Sequence, residues 1–102
     1  MKQKVYEFLR TILTGKVVTY GQIAEFLGNK KLSRVVGNIL HGNPQPDVYP
    51  CFKVVNAQGR LAEHFGCGGL QEQKRRLEAD GIRVTDGRVD LKKYQWRPET
   101  DH

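Results

Sequence analysis

Long apolar runs are missing from these 102 residues. No stretch approaches the roughly 18 consecutive apolar residues of a membrane span, and Met1 to Leu9 is a mixed polar stretch without a signal-peptide core, so a soluble, cytoplasmic chain without a membrane partner is expected. Cysteine is scarce: Cys51 and Cys67 are too few for a disulfide framework and form no C-x-x-C pair, which leaves at least one as a candidate working thiol. His41, Cys51, His64 and Cys67 have the chemistry of zinc ligands but no common ligand spacing, so neither a metal nor a cofactor is expected. Internal repeats and low-complexity tracts are absent. Two cores would each be starved at this length, so one domain is expected, and 38% apolar residues is a globular balance.

Acidic side chains are few at the front. Up to Arg60 there are 9 basic and 3 acidic residues, and afterwards 8 and 8, so the net charge of +6 lies entirely in the first part. Such a positive potential draws phosphate polyanions and releases their counterions on binding. Nucleic acid is the leading partner class; a basic surface with no specific partner is the alternative.

Val5, Phe8, Leu9, Ile12 and Leu13 recur at the spacing of one apolar helical stripe, with Gly15 as a stop. After the β-branched run Lys16–Thr19, Ile23, Phe26 and Leu27 mark a second helix ended by Gly28 and Asn29. Leu32, Val35, Val36, Ile39 and Leu40 repeat the stripe on a third, ended by Gly42 and Asn43. Two short helices joined by a tight turn predict a helix-turn-helix. Val48 to Val55 reads as extended, and Leu70, Lys74 and Leu77 mark a final helix closed at Gly81. Ile82, Val84, Val89 and Leu91 alternate around Asp86-Gly87, a hairpin signal that would form a small wing. The expected fold is mainly α (α+β): a winged helix-turn-helix-like domain over residues 1–91 and a tail without periodicity over 92–102.

Opposite its apolar stripe the third helix presents Ser33, Arg34, Gly37, Asn38 and His41. A helix built only for solubility usually carries Glu and Lys there. One long cation among small and neutral groups instead lets a helix enter a groove and an arginine reach among the bases. An ordinary solvated face is the competing reading.

Val18-Thr19-Tyr20-Gly21-Gln22-Ile23-Ala24, Ser33-Arg34-Val35-Val36-Gly37, Asn43-Pro44-Gln45-Pro46, Pro50-Cys51-Phe52-Lys53-Val54-Val55 and Gly68-Gly69-Leu70 resemble, in order and spacing, the DNA-binding domain of O6-alkylguanine-DNA alkyltransferases and the related alkyltransferase-like proteins. The resemblance spans roughly Val5 to Gly81, and the separate N-terminal domain of two-domain members has no counterpart here. It implies a helix-turn-helix that enters the minor groove of double-stranded DNA and extrudes an O6-alkylguanine into a pocket beside Cys51. Removing a base from its stack costs a few kcal/mol, so a side chain must fill the gap. Arg34 matches the inserted arginine, Tyr20 the tyrosine that presses on the flanking phosphate near the flipped base, and Asn43 the asparagine that pins the turn before the active site. Gln22, Ser33, Gly37, Asn38 and His41 fall on the implied DNA-binding elements. Pro50, Phe52, Lys53, Cys67 and Gly68 support the implied pocket, with Cys67 in the loop that closes over the alkyl group. A reversible disulfide between Cys51 and Cys67 is one reading of that register; a small buried hydrophobe at Cys67 is the other.

The usual Pro-Cys-His-Arg-Val is Pro-Cys-Phe-Lys-Val here. In the family the histidine passes the thiol proton through water toward an acidic residue, for which Asp80 is the matching position. Phe52 cannot accept a proton, and a cysteine near its ordinary value of about 8.5 is only a few per cent thiolate at neutral pH. Lys53 could lower that value if it faced the sulfur, but is expected to point elsewhere. Two functions stay open. One is a slow, single-turnover methyltransferase in which Cys51 accepts the alkyl group; the other is a lesion-binding protein that hands the damage to downstream repair proteins. A third class, a sequence-specific winged-helix regulator, would need major-groove readout and usually a dimer; nothing resembles a dimerisation helix, so a monomer is expected.

Overall fold

A computed structural model describes residues 2–43, 45, 48–61 and 69–97. Helix α1, Lys2–Thr11, buries Val5, Tyr6 and Leu9. The helix stops two residues before Leu13, which therefore leaves the stripe and is 54% exposed, contrary to the periodicity. Strand β1, Val18–Thr19, runs directly into helix α2, Tyr20–Phe26. The junction is a capping box: Thr19 Oγ1 accepts from Gln22 N while Gln22 Oε1 accepts from Thr19 N. A 3-10 turn over Lys30–Leu32 leads into helix α3, Ser33–His41, whose buried side is Val36, Ile39 and Leu40. Val35, expected on that stripe, is 38% exposed. The helix-turn-helix is formed by α2 and α3.

The extended reading of Val48–Val55 needs correction. Cys51–Lys53 is a 3-10 turn closed by Lys53 N donating to Pro50 O, and only Val54–Val55 is strand β2. The short turn lets both Cys51 and Lys53 face inward. Strand β2 pairs parallel with β1, Val18 opposite Val54 and Thr19 opposite Val55, which brings the start of α2 beside the cysteine segment.

Helix α4, Gly69–Ala79, buries Gln73 and Leu77. It ends in a Schellman arrangement in which Ile82 N donates to Leu77 O and Gly81 N to Glu78 O, with Gly81 at φ +86°. Strands β3, Val84–Thr85, and β4, Arg88–Val89, form the expected hairpin. Asp86 and Gly87 both take positive φ, the conformation of a turn that matches strand twist.

Beyond it the chain does not trail away. Asp90 caps helix α5, Leu91–Tyr94, and Gln95 and Trp96 lie against the body of the domain. Val17 N donates to Tyr94 O and Trp96 N to Val17 O, while the Trp96 ring packs on Phe8 at 5.7 Å. These contacts come from backbone pairing, which has no apolar period for a sequence to display.

The interior divides into two hydrophobic clusters. One joins α1, α2, α3, Val18, Val54 and Cys51; the other joins Val17, Val55, Leu61, α4 and the hairpin. Among the described residues none is a helix long and apolar enough to cross a membrane.

Candidate nucleic-acid interface and thiol site

Cys51 opens its 3-10 turn at 5% exposure. Pro50 fixes the approach, and Cys51 N donates to Tyr49 O at 2.7 Å. Asn43 holds the preceding segment from both ends of its carboxamide: Nδ2 donates to Tyr49 O at 2.8 Å, and Oδ1 accepts from Gln45 N at 3.0 Å. The Tyr49 ring stacks on Tyr6 with centroids 4.9 Å apart. Tyr6 in turn donates its hydroxyl to Ile39 O at 3.0 Å, tying the stack to α3. Burial, and then the neighbouring Cys51 sulfur, push both the Tyr6 and Tyr20 phenols above their usual value, so both remain protonated donors at neutral pH. The two phenols, one from α1 and one from the first turn of α2, belong to or pack against the same hydrophobic cluster as the thiol.

Behind the turn, Lys53 is 5% exposed. Its Nζ lies 3.1 Å from Asp80 Oδ2 and donates to Leu13 O at 3.0 Å, while the same Asp80 oxygen accepts from Gly15 N at 2.9 Å. Lys53 Nζ is thus committed to Asp80 and Leu13 O, from a tight turn rather than a strand. Asp80, assigned by resemblance to the end of a proton path, ties the segment after α1 to the cysteine turn from its place just past α4. Gln73, fully buried, adds a second tie by donating to Phe52 O at 3.0 Å and Val54 O at 3.2 Å. Phe52 is half-buried and packs against both hydrophobic clusters.

On α3, Arg34, Asn38 and His41 are exposed, and Gly37 is bordered by open space. Arg34 makes no ion pair among the described residues. The buried side of the same helix belongs to the cluster that contains Cys51, so one core supports both the outward cation and the thiol. Two residues expected on the DNA-binding elements, Ser33 on α3 and Gln22 on α2, have local duties. Ser33 Oγ donates to Lys30 O at 3.0 Å. Gln22, besides its capping role, donates from Nε2 to Trp96 O at 2.7 Å and accepts from Gln95 Nε2 at 2.8 Å, so its carboxamide is committed within the domain. Cys67, Gly68 and His64 lie outside the described residues.

Tyr6, Tyr49 and Gln73 were not singled out by sequence. Gln73 stands four residues before Leu77 and three after Leu70, in register with the helix's apolar stripe, and that placement was the available signal.

Residues 1–82 match the model of the 6-O-methylguanine DNA methyltransferase DNA-binding domain. The chain belongs to this family. Within it, the chain is 38% identical over 96 residues to a DNA base-flipping protein of Vibrio parahaemolyticus, covering 93% of this chain and 94% of that protein. A solved structure of Schizosaccharomyces pombe Atl1 in complex with damaged DNA containing O6-carboxymethylguanine superposes with a TM-score of 0.86 at 31% identity, over 95% of this chain and 94% of the other. The O6-methylguanine methyltransferase of Mycobacterium tuberculosis gives 0.70 at 32% identity, covering 89% of this chain but 52% of that one. Relatives matched along nearly their whole length are thus base-flipping and alkyltransferase-like proteins, whereas the methyltransferase carries about as much chain again.

Proposed function

We propose that this protein binds double-stranded DNA containing O6-alkylguanine, with α3 in the minor groove, turns the modified base out of the stack and holds it beside Cys51. Recognition, followed by transfer of the site to downstream repair proteins, is its main outcome. Arg34 fills the vacated place in the stack as a planar cation, and Tyr20 bears on the adjoining phosphate. The observation that carries recognition over chemistry is the engagement of Asp80 Oδ2 by Lys53 Nζ and Gly15 N, with Phe52 where a proton carrier would stand. A thiol without such a carrier has little thiolate with which to attack. A monomer acting in the cytoplasm, where thiols stay reduced, fits this reading.

A second reading is favoured by the retained, buried thiol of Cys51: slow, single-turnover methyltransferase activity. In it, sulfur bonds to the alkyl carbon, the carbon–O6 bond breaks with its electron pair passing to the purine, and the thiol proton ends on the released guanine. A missing general base typically costs about 10²–10⁴-fold rather than all activity.

Intact-protein mass spectrometry after incubation with O6-methylguanine duplex, run beside a binding titration, separates the two. Tight lesion-dependent binding with unchanged mass supports recognition; a gain of about 14 Da, lost in Cys51→Ser, establishes transfer. Equal affinity for damaged and undamaged duplex sinks recognition, and together with an unchanged mass it sinks both.

A further inference from the structure

Arg60 and Arg88 are register partners in an antiparallel bridge, where opposed side chains share one side of the sheet and like charges repel. No ion pair among the described residues neutralises either of them. Beside this pair, between the hairpin and α5, lies a groove of about 870 Å³ whose walls include Arg83, Arg88, Lys92, Lys93 and Tyr94.

The second part of the sequence is neutral in sum, but folding separates its charges. Glu72 is taken by Arg75 and Arg76, and Asp80 by Lys53. The groove carries four cations against two acids, Asp86 and Asp90, the latter accepting from Lys92 N to cap α5. Among the described residues no ion pair engages the cations of the groove; Lys93 Nζ lies 5.4 Å from the centre of the Tyr94 ring. Concentrated cations, an aromatic face and a repelling arginine pair are relieved together by a polyanion.

We infer that this groove is a second nucleic-acid contact, taking phosphodiester backbone outside the stretch engaged by α3. A row of phosphates suits cations spread over the hairpin and α5 better than a single anion does. An acidic protein segment is the other occupant with the right sign, and the chain's membership of a DNA-binding domain family favours nucleic acid. Because the contact touches no base, it strengthens binding without improving discrimination of the lesion.

The test is fluorescence anisotropy with duplexes extending well beyond the α3 footprint, with and without one O6-methylguanine, over a salt series. Arg83→Glu/Arg88→Glu should weaken binding about tenfold or more on both duplexes and reduce the slope of log affinity against log salt by about 2. Lys92→Gln/Lys93→Gln, with no reversed charge to disturb the hairpin, should reduce the slope similarly. Lys2→Glu/Lys4→Glu, with the same change in net charge at exposed positions on α1, should do much less. Unchanged slope in both groove variants, or an equal loss in the α1 control, overturns the inference. The ratio of damaged to undamaged affinity reports on the α3 reading alone, so the two proposals fail separately.

Discussion

Lys53 Nζ and Asp80 Oδ2 meet 3.1 Å apart, almost wholly out of water, and each also binds the backbone just beyond α1, at Leu13 O and Gly15 N. Breaking a buried ion pair from one side leaves an uncompensated charge, which costs more than the intact pair contributes. Lys53→Met should therefore lower unfolding free energy by about 3 kcal/mol in urea titrations, at the lower end of such losses because Asp80 keeps some solvent contact. A loss under about 1 kcal/mol would mean the pair is dispensable.

Arg34→Ala tests the wedge. On the proposed reading it should weaken binding to O6-methylguanine duplex about tenfold or more, and undamaged duplex only a few-fold, the loss of one phosphate-seeking cation. Competition titrations measure both. Equal losses would reduce Arg34 to a nonspecific charge.

Asn38 lies one helical turn after Arg34 on the exposed side of α3. Guanine's N2 amine is the minor groove's distinguishing donor, and the Asn38 carbonyl oxygen is an acceptor that arginine lacks. Replacing a guanine next to the lesion by inosine, which lacks that amine, should weaken binding about three- to tenfold, the scale of one hydrogen bond. In Asn38→Ala the guanine and inosine duplexes should bind alike; a persisting difference would assign the reading elsewhere.

Tyr6 gives a prediction in pH. Its phenol is raised above 10.0 by burial, then by Cys51 and Tyr49. The folded state therefore keeps the proton longer than the unfolded chain does. That contribution is fully present below about pH 10 and is lost as pH climbs through the higher folded value. Tyr6→Phe should lose about 1 kcal/mol at neutral pH, where the Ile39 carbonyl forfeits its donor, and should show a shallower alkaline decline in melting temperature. Parallel alkaline slopes in the two proteins would remove Tyr6 from the account.

The helices and the hairpin were legible because their signals are local. Stripes at helical spacing marked α1 to α4, and Asp86-Gly87 marked the turn between β3 and β4. Leu13 and Val35 were misplaced because periodicity reports which residues are apolar, not where a helix ends or how wide its buried face is. The cysteine turn was misread because its shape follows from long-range demands: Lys53 must reach Asp80, and the Phe52 and Val54 carbonyls must meet Gln73. At the site, Arg34, Cys51 and Tyr20 could be named from motifs. The phenol stack of Tyr6 on Tyr49, and the commitment of Gln22 to Gln95 and Trp96, join residues far apart in the chain that no spacing rule connects.

Phe52 is the aromatic side chain packed against both hydrophobic clusters. A ring wedged between two cores transmits displacement in either direction, so a guest settling against the cysteine would be felt at the hairpin as well as at the helix-turn-helix. Trimming the ring to alanine leaves a cavity between the two clusters and should lower the melting temperature of the domain.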